Sequence, residues 1–446
     1  IFTKLEAWCS HEDVSAVASP PMSAVPHQPR AESPAAPAVA SAPPPAVSDV
    51  KRSSTAVIST YFAEGLPYSM VHQVLTQQYM TAIKVDPGLL GLTSLLHLPW
   101  NIKFLWAPLV DRYGTAKRWL VGAQVLIGLL LLAAALTVGQ GALWPLVVVL
   151  VAMSFVAATN DIAIDAYYLR ALPKSEQSAL TGVRIAAYRG ALLFGNGALV
   201  ALAGVWGFAP ATLVAAGVVF ALSLGHLLLL PAKEERVDVS REPWTEVGKS
   251  LLRVPNIGMA LAFILTFRAG DAIMFAMNAK FLAELGLDTA ARGLYNGIFG
   301  TGASIAGSIL GGAIVAKGGL RRTLVPIAVV QGAAILLYAL IEVVRPSLAL
   351  IVVTVIVEQF VAGVGLAAFL VVIMRVCDGP YKATHFAFAT AIMSLSVTAA
   401  GSVSGYLLKA VGFRDFFLLA ALASIPGIVL ATRLTGVGSS LASGAR

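Results

Sequence analysis

The chain has 446 residues, 58% of them hydrophobic and only 12% charged, about half the share of charge found in an average soluble domain. Apolar runs of about 20 residues recur along it, which excludes an ordinary cytosolic enzyme and predicts a protein embedded in a lipid bilayer. A formal charge of +8 comes from 31 Lys and Arg against 23 Asp and Glu; basic cytoplasmic loops account for such an excess in membrane proteins, so nucleic acid is not an expected partner.

Residues 1–53 read as a disordered cytoplasmic tail. The first 50 hold nine of the 23 prolines among Ala and Ser, with no apolar stretch of signal-peptide length. Cys9, His11 and Asp13 there are not read as ligands, and the other cysteine, Cys377, is remote; no metal, cofactor or disulfide framework is expected. Apolar runs then occupy 55–82, 88–110, 119–138, 143–169, 179–205 and 208–230. A polar linker at 233–254, with Lys233, Glu234, Glu235, Arg236 and Arg241, precedes runs at 256–282, 290–316, 322–344, 347–374, 384–410 and 413–434. The expected fold is all-α and polytopic, with twelve transmembrane helices in two six-helix halves, 54–232 and 255–435. A short tail, 436–446, follows.

Positive residues are retained on the cytoplasmic side. The tail and even-numbered loops carry Lys51, Arg52, Arg112, Lys117, Arg118, Arg170, Lys174, Arg321, Arg322, Arg375 and Lys382, while the opposite loops carry Lys84, Arg292, Arg345, Lys409 and Arg414. Both termini are therefore expected in the cytoplasm. A single offset of 205 residues aligns Phe62 with Phe267, Gly65 with Gly270, Gly88-Leu89 with Gly293-Leu294, Gly114 with Gly319, Lys117 with Arg322 and Arg170 with Arg375. Two parallel six-helix repeats with a basic loop after the second helix of each resemble the major facilitator architecture. In that loop Asp111-Arg112-Tyr113-Gly114 and Lys117-Arg118 resemble the facilitator motif Gly-x-x-x-Asp-Arg-x-Gly-Arg-Lys, with Ala107 at its leading glycine. Asp111, Arg112, Lys117 and Arg118 are read as a conformational latch; topogenic charge alone is the other reading.

A charge at the bilayer centre costs about 2.5 to 3.5 kcal/mol. Eight fall at mid-depth: Glu64, Asp161, Asp165, Arg184, Arg189, Arg268, Asp271 and Glu358. All must face inward. Asp161 and Asp165 share a helical face, and matching depths across the next, antiparallel span pairs Asp165 with Arg184 and Asp161 with Arg189. The first pair is expected to be structural. Arg189 and Arg268 suit a substrate carboxylate or phosphate, with Asp161, Asn160 and Gly65 completing the substrate site. Glu64 and Glu358 have no arginine within one turn of their own helix and are proton-coupling candidates, together with Asp271, which also balances Arg268. Gly65 and Pro67 interrupt the first span, with Gly270 at the matching position of the seventh, and paired interruptions point to a transport site. The ladder Gly300, Ser304, Gly307 and Gly311 is read as helix packing. His72 and His97 read as structural.

On the residues Glu64-Gly65-Leu66-Pro67, the run Lys103 to Tyr113, Asn160-Asp161-Ile162-Ala163-Ile164-Asp165-Ala166, Tyr188-Arg189, Gly270-Asp271-Ala272 and Ala383-Thr384-His385-Phe386-Ala387, the chain resembles the AmpG family of muropeptide permeases over nearly all of 56–434. The family commonly has Ser before the first glycine where this chain has Glu64, and Gln where it has Asn160. The resemblance implies proton-driven import of anionic cell-wall sugar peptides across the bacterial inner membrane. The Lys103 to Asp111 run also resembles the acetyl-CoA transporter family, which implies another large anion. Together these imply a secondary transporter, not an enzyme, working as a monomer on a small-molecule substrate and protons. A transport-dead sensor or scaffold and a drug exporter are the rival readings.

Overall fold

Hydrocarbon offers no water to a backbone amide, so an apolar chain must satisfy its N–H and C=O groups internally, and every regular element among the described residues is helical. The computed structural model describes residues 47–172, 174–231, 250, 253–254, 256–377 and 382–435, without the side chains of 47–52, 111, 174–179, 382–384, 387 and 435. The expected tails and most of the 233–254 linker lie outside the described residues.

The first run forms α1 (Val47–Ser69), continued by a π-helical stretch, Met70–Tyr79. Pro67 lacks the N–H that would bond the Ala63 carbonyl; Asn160 Nδ2 donates to that oxygen at 3.1 Å. The second run is cut into α2 (Pro87–Leu92), a 3-10 stretch Thr93–His97, α3 (Leu98–Ile102), a 3-10 turn Lys103–Leu105 and α4 (Ala107–Arg112). Pro99 and Pro108 stand in the first turns of α3 and α4, where a missing N–H costs nothing. Long helices follow: α5 (Ala116–Gly139), α6 (Leu143–Ala171) and α7 (Lys174–Leu192), the last extended by π-helical Leu193–Leu199 into α8 (Val200–Trp206), then α9 (Phe208–Leu229). The second half holds α10 (Ile257–Thr266), α11 (Ala269–Glu284), a π-helical stretch Gly293–Gly300 leading into α12 (Thr301–Gly318), α13 (Leu320–Val344), α14 (Leu348–Val376), α15 (Lys382–Leu422) and α16 (Ile425–Thr435).

Among the described residues nine helices are long and apolar enough to cross a membrane, against the twelve spans expected. The last two expected spans fall within one of the nine, Phe388–Leu434, although Gly412 (φ 74°, ψ 171°) breaks the helical backbone between them. The first run is diluted by His72, Gln73, Gln77 and Gln78, and the second is segmented. The internal repeat is visible in the backbone. Gly114 and Gly319, paired by the 205-residue offset, both adopt left-handed φ (76° and 73°) just before a helix, and Gly207 and Gly412, paired by the same offset, do so too (92° and 74°). Only glycine takes these angles without strain.

The buried apolar side chains divide three ways. One core joins both halves, bringing Leu75 and Ile127 together with Met277, Phe281 and Phe417. The second contains only residues of the C-terminal half, such as Phe263, Phe369 and Ala431, and the third only residues of the N-terminal half, such as Tyr61, Leu120 and Tyr167. The halves therefore share a core at the end remote from Val47 and Thr435 and keep separate cores at the terminal end. Leu136, Val148, Leu229 and Ile309 project outward, as a lipid-facing surface requires.

Small residues set the closest helix approach, as the ladder predicts. An added Cβ at Gly307 would lie 2.0 Å from the Phe360 carbonyl oxygen, at Gly311 2.6 Å from that of Val364, and at Gly363 2.2 Å from that of Ser304. Gly307→Val should therefore force α12 from α14 and cost about 1 to 3 kcal/mol, lowering the unfolding temperature of the detergent-solubilised protein by several degrees; an unchanged melting curve would refute this packing role.

Candidate functional site

Asp161 and Asp165 stand one turn apart on α6, and three other helices bring them partners. Asp165 Oδ1 accepts from the Tyr61 hydroxyl at 2.8 Å and pairs with Arg184 Nη2 at 3.1 Å, so the pair read from the sequence is present. The Arg184 guanidinium also lies over the Tyr61 ring, 4.6 Å from its centre, and 5.6 Å from that of Tyr168. These cation–π contacts hold its plane.

The expected Asp161 and Arg189 pair does not form. Asp161 Oδ2 is bound by Lys103 Nζ, a residue whose sequence position fits either a functional role or snorkelling to the membrane edge. Matching depth by residue index treats neighbouring spans as regular rods; the breaks around Pro99 and Pro108 turn Lys103 onto α6 from a third helix. Arg189 Nη2 reaches across the halves to Ser308 Oγ on α12, at 3.5 Å. Glu64 on α1 lies within hydrogen-bonding reach of Asp161, and its Oε2 is buried with no partner. Glu64, Lys103, Asp161, Asp165, Arg184 and Tyr61 thus form one network of three acids and two bases.

The C-terminal half repeats the theme with fewer charges. Arg268 sits at the break between α10 and α11 (φ −100°, ψ 7°), its Nε 3.7 Å from Asp271 Oδ2. Gln331 Nε2 donates to the same Asp271 oxygen. Glu358, 1% exposed, accepts from the Tyr338 hydroxyl at 3.4 Å and is close enough to act electrostatically on Asp271 and Arg268. Neither Gln331 nor Tyr338 carries a signal in the sequence, since a neutral polar residue on a long apolar helix has many uses.

Two substrate candidates also stand at helix contacts. Asn160 is fully buried; its Nδ2 donates to the Ala63 carbonyl and its Oδ1 has no partner. A Cβ on Gly65 would lie 2.8 Å from both the Ala191 Cβ and the Tyr188 carbonyl oxygen, so this glycine lets α7 approach α1; Gly270 sits likewise against Ser424 and Ala420 of the last helices. Both of the paired interruptions therefore stand at helix crossings. In the loop after α4, the side chain of Asp111 lies outside the described residues. Arg112 stacks on Tyr113 at 5.8 Å, Lys117 Nζ donates to the Leu230 carbonyl at 2.7 Å, and Arg118 N bonds Thr115 Oγ1 at 3.3 Å. The Lys117 bond ties this loop to the end of α9 in its own half.

At the remote end the halves are fastened directly. Arg292 Nε donates to Gln78 Oε1 at 2.9 Å and Lys409 Nζ to Asp86 Oδ2 at 2.9 Å, while deeper in the spans Asn101 Nδ2 donates across the halves to Thr398 Oγ1 at 3.1 Å. Backbone meets backbone nearby: added Cβ atoms on Gly91, Gly204 and Gly297 would approach Gly405 N, Ala290 N and Asn196 O within 2.8, 2.3 and 2.2 Å. The halves are joined here and keep separate cores at the terminal end, with one charge network in each half.

The sequence profile of the Major Facilitator Superfamily matches residues 54–357. The chain is 28% identical over 380 residues to the anhydromuropeptide permease of Escherichia coli K12, covering 83% of this chain and 77% of that protein. It is 24% identical over 388 residues to the putative transporter AmpG 4 of Rickettsia felis, covering 82% and 92%. Among solved structures, the nucleoside transporter NupG superposes with a TM-score of 0.66 at 17% identity, over 85% of this chain and 98% of that one. A bacterial homolog of the human lysosomal transporter Spinster, inward-facing and unoccupied, gives 0.65 at 13% identity over 88% and 98%.

The pair at the remote end gives a pH dependence. The hydrogen bond from Lys409, helped by the Gly88 amide, holds the Asp86 carboxyl below its ordinary value of 3.8. A depressed carboxylate contributes at pH values above its unpaired range, and that contribution is lost as pH falls through the lowered value. Spin labels at positions 83 and 411 should report a short distance at pH 7 that lengthens in part below pH 4, while Asp86→Asn should already show the longer fraction at pH 7 and respond no further. Because the pair is exposed the shift will be modest; a pH-independent distance in the unmodified pair would exclude this role.

Proposed function

The chain belongs to the Major Facilitator Superfamily, and we propose that it is a proton-coupled importer of anionic muropeptides that works by alternating access across the bacterial inner membrane. With the basic loops and both termini on the cytoplasmic side, the cleft opens to the cytoplasm and the fastened end faces outward. The similarity to the anhydromuropeptide permease and to AmpG-type transporters supports the cargo.

The observation that carries the coupling is the contact of Glu64 with Asp161. Two carboxylates at hydrogen-bonding separation repel unless a proton lies between them. Asp161 is already committed to Lys103, so Glu64 is the group that takes and gives up the proton. Loaded, Glu64 lets α1 close on α6; unloaded, it presses the two helices apart, and the rocking of the halves is tied to the proton. Asp165 and Arg184, fixed by Tyr61, serve as a brace. In the other half Asp271 is balanced by Arg268, and Glu358, held by Tyr338, is a second proton carrier. Arg189 and Arg268, one on each side of the cleft, hold the substrate carboxylates. Since Asp161 belongs to Lys103, Arg189 is positioned by Ser308 instead. The loop with Asp111, Arg112, Lys117 and Arg118 biases the inward against the outward state through its hold on α9. The protein acts as a monomer.

Proteoliposomes holding the purified protein should accumulate labelled anhydromuropeptide only under an inward proton gradient. Glu64→Gln should lower gradient-driven accumulation at least about tenfold while substrate exchange at equal pH persists, because the variant carries no titratable proton yet keeps the helix contact. Arg189→Ala should abolish both. Gradient-driven accumulation by Glu64→Gln would remove the proton role, and uptake of acetyl-CoA in place of muropeptide would remove the cargo.

A further inference from the structure

Beside Arg189 lies a group of rings that neither charge network uses. Tyr68 on α1 stands with its ring centre 4.5 Å from His72, 5.6 Å from Trp100 on α3 and 6.1 Å from Tyr188 on α7. His72 and His97 stack at 3.6 Å with an 18° tilt. His97 is bonded at both nitrogens, to the Tyr68 hydroxyl at 3.1 Å and to the Ser94 carbonyl at 3.1 Å. His72 is 6% exposed and its Nε2 has no hydrogen-bond partner in the structure. Tyr68, Trp100 and Tyr188 are only half-buried, so aromatic surface from three different helices remains open.

Two guanidinium groups stand near these rings: Arg189, and Arg268, whose Nε is 3.7 Å from Asp271. Arg189 follows Tyr188 in the chain and bonds Ser308, and among the described residues no carboxylate pairs with it. Arg268, from the other half, is close enough to act electrostatically on both Tyr68 and Arg189. Flat apolar rings with polar edges, flanked by guanidinium groups, suit a ligand that has an apolar ring face and an anionic substituent.

We propose that Tyr68, Trp100 and Tyr188 form the seat for an uncharged pyranose ring of the cargo, with Arg189 and Arg268 taking a carboxylate at its edge. The proposal rests on the reading of the chain as a carrier of anionic sugar peptides and divides that cargo between two parts of the site. The C–H face of the sugar packs on the rings, and its hydroxyl and acetamido groups meet the polar edge formed by the Tyr68 hydroxyl and the imidazoles. The peptide's negative charge, not the sugar, engages the arginines.

Calorimetry on the full chain in nanodiscs, with anhydromuropeptide, the same peptide without its sugars, and a neutral N-acetylated disaccharide, separates these parts. Trp100→Ala should weaken the sugar peptide about 10- to 30-fold, towards the affinity of the bare peptide, and leave the bare peptide within about twofold. Trp100→Phe should restore most of the loss. Arg189→Ala should weaken both peptides and spare the disaccharide. Should Trp100→Ala fail to fold, Tyr188→Leu tests the same seat from another helix. Equal losses for sugar peptide and bare peptide, or no loss in a variant with an unchanged unfolding temperature, would overturn the assignment and leave the muropeptide reading intact. Binding of the disaccharide through Trp100 without binding of the muropeptide would keep the seat and remove that reading.

Discussion

The constraint from which the rest follows is the cost of placing charge in a medium that cannot solvate it. An ionic side chain in the spans is stabilised by a complement inside the bundle, and one cluster of the N-terminal half gathers five charges from four helical segments. Lys103 takes Asp161, Arg184 takes Asp165, and Glu64 is left with a carboxylate for a neighbour. The imbalance gives the cluster its chemistry. On the proposed reading, the acid in excess is the one that carries the proton.

Segmentation of the second span is what makes this arrangement possible. A regular helix over 88–112 would carry Lys103 as one more residue of a rod; two proline-led starts and two 3-10 turns instead bring its ammonium group to α6. The same logic governs α1, where Pro67 frees the Ala63 carbonyl and Asn160 answers it. Proline here sets where a neighbouring polar group must go, and so fixes the register between α1 and α6.

The all-helical fold, the two-fold repeat and the small-residue ladder were legible in the sequence because each is a pattern of many residues: apolar length, a common offset, a row of glycines. Gly114 and Gly319 announced by position what they prove to do by backbone angle. Asp165 and Arg184 were legible as well, lying on consecutive helices joined by a short loop. The partner of Asp161 was not, since Lys103 comes from a third helix and reaches it only through irregular backbone. Nor did the sequence distinguish a glycine that lines a cavity from one that admits a neighbouring helix, as at Gly65. That difference depends on what stands opposite, and no single chain position records it.

The glycine crossings at the remote end carry a consequence for how the two access states share the population. Gly91 against Gly405 and Gly204 against Ala290 are contacts between halves, so they exist only while that end is closed. A methyl group added there would burden one state and leave the other untouched, without disturbing either half internally. At about 1.4 kcal/mol per tenfold change in an equilibrium, a single carbon atom at such a crossing would shift the balance between the two states by roughly tenfold or more.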